Sequence, residues 1–191
     1  MLIAGPQKPE SEVAQSKRRA FTDPKVKSLI VSPRFYGVAA SYGQEGPGLM
    51  PTSPFPALLL RRGSERVLVV ADLHIGWEVA LVERGIHVPS QTPRMLERMT
   101  RLIEDHRPTR IIFLGDVKHT VATAEWGEWQ DVPDFFEALL KMVSEIEVIP
   151  GNHDGNLEPL LPGAVRTLPS TGVVLWEEVG LFHGHTWPAP E

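Results

Sequence analysis

The chain reads as an α/β fold on a largely parallel sheet, and three observations predict it. Short apolar or β-branched runs recur at Ala57–Leu60, Arg66–Ala71, Arg110–Leu114 and Glu147–Ile149, the composition of strands covered on both faces. Helical periodicity lies between most of these runs, and strand–helix–strand repetition implies right-handed crossovers. Each of the last three runs also gives way at once to polar residues. In such sheets, ligands gather outside the carboxyl ends of the strands.

Taken in order, residues 1–56 read as an irregular N-terminal extension and residues 57–191 as one folded domain. The extension holds eight of the 18 prolines, and Gly43–Pro56 is dense in helix and strand breakers. Within it, Leu29-Ile30-Val31 is apolar enough for a short docking strand. Arg18-Arg19-Ala20-Phe21 looks like a twin-arginine export motif. Asp23, Pro24, Lys25 and Lys27 interrupt the apolar stretch such a signal needs, so a solvated basic tail and a cytoplasmic protein are expected. After the strand Arg66–Ala71, a helix is expected around Trp77–Arg84, stopped at Gly85. A second begins near Pro93, with Met95, Leu96, Met99, Leu102 and Ile103 on one face, and Pro108 ends it. Arg110–Leu114 is the next strand. A helix over Val132–Val143 buries Phe135, Phe136, Leu139, Leu140 and Val143. Glu147–Ile149 is a third strand of the series, and Val173–Trp176 with Val179–Phe182 forms a hairpin around Glu177-Glu178.

Composition narrows the chemistry. The 191 residues suit one domain of ordinary size, and 42% hydrophobic content excludes a wholly disordered chain. No apolar run reaches the ~18 residues of a membrane span. With no cysteine, disulfides, iron–sulfur clusters and thiolate zinc sites are excluded. Any metal must be held by imidazole, carboxylate or amide oxygen. Residues 1–50 carry seven Lys/Arg against four Asp/Glu and the remainder twelve against twenty, so the body is acidic. That argues against tight nonspecific duplex binding, though bound dications would invert the local field for a phosphate substrate.

The residues after each strand fit those limits. Asp72-Leu73-His74 follows the first long run. Gly115-Asp116-Val117-Lys118-His119 follows Arg110–Leu114, Gly151-Asn152-His153-Asp154 follows the third, and His183-Gly184-His185 follows Val179–Phe182. Asp, His and Asn are ligands for hard to borderline dications. In an extended segment, residues i and i+2 point the same way, so Asp72 with His74, and His183 with His185, are expected to grip one ion together. Glycines before Asp116 and Asn152 allow a sharp turn and close approach. A carboxylate such as Asp116 can bridge two metals, and Asn152 offers a neutral oxygen. Singly, each cluster is ordinary turn or cap chemistry; the ordered series is not. His87 and His106 fall outside it and are expected to face solvent.

The ordered set Asp72-x-His74, Gly115-Asp116, Gly151-Asn152-His153-Asp154 and His183-Gly184 resembles the calcineurin-like metallophosphoesterase superfamily. DLHIGWE (72–78) and GDVKH (115–119) are similar to its ICC-like prokaryotic branch. The resemblance implies a four-layer αββα sandwich with two divalent metals at the strand ends. Manganese is expected, with iron, zinc, nickel or magnesium as alternatives. By the same resemblance Asp72 and His74 ligate one metal, Asn152 and His183 the other, and Asp116 bridges them. A metal-bridging hydroxide then attacks phosphorus in line. The resemblance has His153 touch the phosphate and protonate the leaving oxygen; Asp154 is expected to orient its ring, and Lys118 and His119, just beyond Asp116, either contact substrate oxygens or form a surface loop.

Family members normally carry a further Gly-His-x-His, which has no counterpart here. Either Gly184-His185-Thr186-Trp187 is a degenerate form of it, or His183-Gly184 is the preceding motif and the sandwich is incomplete at its C-terminus. In either case His185 is a candidate replacement ligand, and a sheet edge left open is expected to favour a homo-oligomer. Two functions stay open at this point. One is a two-metal phosphoesterase acting on phosphate esters, most naturally phosphodiesters of nucleotide or nucleic-acid type. The other is a degenerate scaffold that binds protein partners.

Overall fold

A computed structural model describes residues 28–31, 47–82, 84–121 and 126–186, with 28–31 and 126–127 as backbone only. Arg18-Arg19 and Trp187 lie outside the described residues. The strands are β1 (Ser28–Val31), β2 (Gly48–Pro51), β3 (Leu58–Arg62), β4 (Glu65–Val70), β5 (Arg110–Leu114), β6 (Glu145–Ile149), β7 (Arg166–Thr167), β8 (Val173–Leu175) and β9 (Val179–Phe182). The helices are α1 (Val79–Val82), α2 (Thr92–His106) and α3 (Trp126–Leu140), with a 3-10 turn at Glu158–Leu160.

Two sheets form. The larger runs β2-β3-β4-β5-β6-β7, and the smaller β1-β9-β8. Strands β4 to β7 are parallel, as strand–helix repetition predicts, while β2 and β3 add antiparallel, so the sheet is mixed. Alternation along the central strands divides the core. Leu68, Val70, Ile111, Phe113, Ile146 and Val148 point to one face, where Met99, Leu102 and Ile103 of α2 and Val132, Phe135, Phe136 and Leu139 of α3 cover them. Phe113, Phe135 and Phe136 meet edge to face. Val67, Val69, Ile112, Leu114 and Ile149 point to the other face, against Leu175, Val179 and Leu181 of the small sheet. This is the mixed α/β architecture of the expected sandwich. Among the described residues three layers stand out: helices, large sheet, small sheet.

Several boundaries differ from the sequence reading. The short docking strand expected at Leu29-Ile30-Val31 is β1, parallel to β9, but the region read as an irregular extension also supplies β2, whose Gly48–Pro51 pairs with Leu58–Arg61 at the sheet edge. An edge strand tolerates Pro51 and shows no buried periodicity, so nothing in its pattern announces it. Helix α1 shrinks to one turn. Helix α3 starts six residues before Val132 and carries Pro133 inside it. His87 is exposed, and His106 is half-buried at the end of α2.

Candidate metal centre

The centre is assembled by pairing that continues past the strands. Beyond β4 and β5 the chain still bonds across: Asp72 N–H to Gly115 O (3.1 Å), His74 N–H to Asp116 O (2.9 Å), Ile75 N–H to Val117 O (2.8 Å) and His119 N–H to Ile75 O (3.0 Å). Ile75, fully buried in the core, anchors the first loop. Asp72, His74 and Asp116 all adopt left-handed backbone conformations, with φ of 55°, 49° and 53°. The expected extended segment is therefore absent. The i, i+2 rule of an extended strand does not apply, although Asp72 stays close enough to His74 for their charges to interact. Three non-glycine residues in that region mark a site whose surroundings enforce the strain.

Asp116 is the hub. Its Oδ2 lies 3.7 Å from His74 Nε2 and its Oδ1 3.4 Å from His183 Nε2. Oδ1 also accepts the His153 backbone N–H at 2.9 Å. Glycine is required twice to bring these groups together. A Cβ on Gly151 would stand 2.3 Å from Asp116 Oδ1, and one on Gly115 (φ 77°) would stand 2.1 Å from His183 Nδ1. His183, buried, holds Leu114 O through Nδ1 at 3.0 Å; since a carbonyl only accepts, Nδ1 carries the hydrogen and Nε2 is left for a ligand.

Two groups of side chains can each hold an ion. Asp72, Asp116 and His183 bring one ligand atom apiece within 4.8 Å of each other, and so do His74, His119 and His153. In the second group the rings of His74 and His153 meet edge to face at 4.9 Å, and His119 stacks on His153 at 5.6 Å. The donor set suits a divalent cation: nitrogen and carboxylate oxygen with no thiolate. Two atoms support that fit, since Nδ1 of His74 and of His119 are buried with no hydrogen-bond partner among the described residues. Burial holds the His74 imidazole below its ordinary pKa, with Asp116 opposing, so the ring is kept neutral as a ligand must be.

The remaining expected site residues fare unevenly. Lys118 does not face substrate: it is fully buried, and its Nζ donates to Thr120 O. His119 does line the centre, with the imidazoles. Asp154 does not touch the His153 ring. Its Oδ1 accepts the N–H groups of Val117 (2.9 Å) and Lys118 (3.2 Å), and its Oδ2 accepts that of Gly151 (2.7 Å), tying the β5 loop to the β6 loop. Burial pushes its carboxyl upward, opposed by those same bonds. The His153 ring is instead held through Nδ1 by His119 O. Asn152 is exposed in the turn. His185 is also exposed, 5.3 Å ring to ring from His183 and outside both groups, because Gly184 (φ 103°) breaks the extended relation. Burial, and then His183, lower its pKa.

Two acidic residues escaped sequence reasoning. Glu128 of α3 is fully buried, and its Oε1 accepts the N–H groups of His119 (3.0 Å) and Thr120 (2.8 Å). Glu78, also buried, accepts the Gln91 N–H at 3.1 Å and so links the first loop to the start of α2. A glutamate in a helix and another beside a turn look like solvated charge in sequence, and only burial distinguishes them.

No curated protein matches the sequence. Among solved structures, the crystal structure of Pseudomonas putida nuclease MPE is similar, with 23% identity and a TM-score of 0.45 over 68% of this chain and 62% of that one. The chain thus spans less than two thirds of that nuclease's length. The family model for calcineurin-like phosphoesterase matches residues 65–188, from the start of β4 to beyond His185. With that match over well more than half of its length, the chain belongs to the calcineurin-like phosphoesterase family, hydrolases of phosphate esters.

Proposed function

We propose that this phosphoesterase cleaves phosphodiesters of nucleotide or nucleic-acid type with two divalent ions, manganese first among them, in the cytoplasm. The observation that carries the two-ion reading is the Asp116 carboxylate, which presents one oxygen to His74 Nε2 and the other to His183 Nε2. Asp72 and His74 would hold one ion and Asn152 and His183 the other, with Asp116 shared. When bound, such ions polarise phosphoryl oxygens and acidify the attacking water.

The chain's own residues do the rest. Asp116 and the backbone of His153 fix each other, so the acid stands beside the shared carboxylate. His119 O holds the hydrogen on Nδ1 of His153. In the protonated ring, Nε2–H is then the proton available to the leaving oxygen. As the P–O ester bond breaks, its electron pair goes to that oxygen, which takes the proton from Nε2. His119, stacked on His153, would contact the phosphate. The acidic body disfavours long duplex tracking, and a short or single-stranded substrate suits it better.

The test is hydrolysis of bis(p-nitrophenyl) phosphate against p-nitrophenyl phosphate in Mn²⁺, with bound metal counted. The diester should be preferred, and Asp116→Asn should lower kcat by at least about 100-fold while reducing the metal count. Absence of diester hydrolysis at every metal level would favour the partner-binding scaffold instead.

A further inference from the structure

We infer that Glu128 is a positioning residue for the proton donor His153, acting through the peptide groups of His119. The inference rests on the proposed role of His153. The path is continuous. Glu128 Oε1 accepts the N–H groups of His119 and Thr120 at 3.0 and 2.8 Å, and the carbonyl of the same residue, His119, receives Nδ1 of His153.

A fully buried carboxylate is costly unless its bonds compensate it. Here two backbone donors in one short loop converge on one oxygen, which fixes the local rotation of the loop and with it the direction of the His119 carbonyl. That carbonyl selects the tautomer and the ring plane of His153. Gly76 leaves the space in which the carboxylate sits: a Cβ there would be 2.8 Å from Glu128 Cγ. The loop bearing His74 and the loop bearing His119 thus close around one glutamate that lies in neither ligand group. Helix α3, packed through Phe135, Phe136 and Leu139 against the large sheet, gives that glutamate a rigid base.

Leaving-group dependence separates this role from a structural one. A nitrophenolate leaves without a proton, whereas a sugar hydroxyl needs one. The Mn²⁺-loaded full chain would be compared on thymidine 5′-(p-nitrophenyl phosphate) and on the dinucleotide thymidylyl-thymidine. Glu128→Met keeps the volume and removes the acceptor. It should lower kcat on the dinucleotide by about 100-fold and on the nitrophenyl ester by less than about fivefold, with KM little changed. Glu128→Gln, which keeps an acceptor oxygen, should restore most of the dinucleotide rate.

Equal losses on both substrates, or a Gln variant as impaired as Met, would overturn the inference. Wild-type protein that cleaves neither substrate would refute the phosphodiesterase reading rather than this one. The positioning claim is then decided, as it also is if Glu128→Met does not fold, by side-chain ¹⁵N shifts in the Mg²⁺-loaded wild type and Glu128→Gln proteins. A hydrogen on Nδ1 of His153 in the wild type supports it, and one on Nε2 alone overturns it.

Discussion

Gly115→Ala sets one added carbon against the ring of His183, 2.1 Å from Nδ1 and 2.2 Å from Cγ, where real contacts do not form. The ring cannot stay. Its departure sacrifices the bond to Leu114 O and the position 3.4 Å from Asp116 Oδ1. Overpacking in a filled site costs about 1–3 kcal/mol and the lost hydrogen bond about 1 kcal/mol. Alanine at a φ of 77° adds about 1–2 kcal/mol, since a side chain is disfavoured there. The single variant should therefore be about 3–6 kcal/mol less stable in urea melts of the metal-free protein. When the ring is gone the backbone part survives, together with a 2.8 Å approach to the Cβ of residue 183. The double variant with His183→Ala should accordingly show a coupling of about 2–4 kcal/mol relative to additive behaviour. Metal retention should fall in every variant. Strict additivity, with both single variants still holding their full metal complement, would refute the packing account of why glycine stands at 115.

Asp154→Ala strands three backbone N–H groups, of Gly151, Val117 and Lys118, and relieves a carboxylate whose burial already opposes its charge. A net loss of about 2–4 kcal/mol is expected, seen as a melting point about 5–15 °C lower. Asp154→Asn should not rescue it, since an amide NH₂ would face donors. A kcat defect without any melting shift would restore the ring-orienting role to Asp154. For His74 the linkage is with protons. Burial lowers its folded pKa below the ordinary 6.5, so the unfolded chain takes up the proton first as pH falls. The stability this ring confers is whole above 6.5 and is lost as pH drops through the folded value. Metal-free protein should melt progressively lower as pH falls below about 6.5, with a shallower slope in His74→Gln. An identical slope in the variant would remove His74 from the account.

The strands that carry the centre were legible because covered strands must be apolar, and Val67–Val70 and Ile111–Leu114 admit no other reading. Position also told: Asp72, Asp116, His153 and His183 follow strands, and they converge. What stayed hidden is local geometry. The left-handed turns at Asp72 and His74 leave no mark, since neither residue is glycine, and so the segment was read as extended. A carboxylate in a turn looks the same whether it serves a side chain or, as Asp154 does, three amides. Lys118 was expected at the substrate because it lies just beyond Asp116, yet it ends on a carbonyl inside the protein. Glu128 was silent for the converse reason, an ordinary helix residue whose importance comes entirely from what the fold closes over it.

Strand β5 is sheathed by helices on one face and the small sheet on the other, with β4 and β6 bonded along its edges. Its amides have no route to solvent short of global opening, whereas the loops at its carboxyl end do. Deuterium uptake would therefore divide the molecule into a slow interior and a fast rim. Because the acidic and imidazole groups sit on that rim while their anchors sit in the interior, cation loading should register as slowed exchange in the loops alone. The scaffold keeps its own time, and the centre is free to breathe against it.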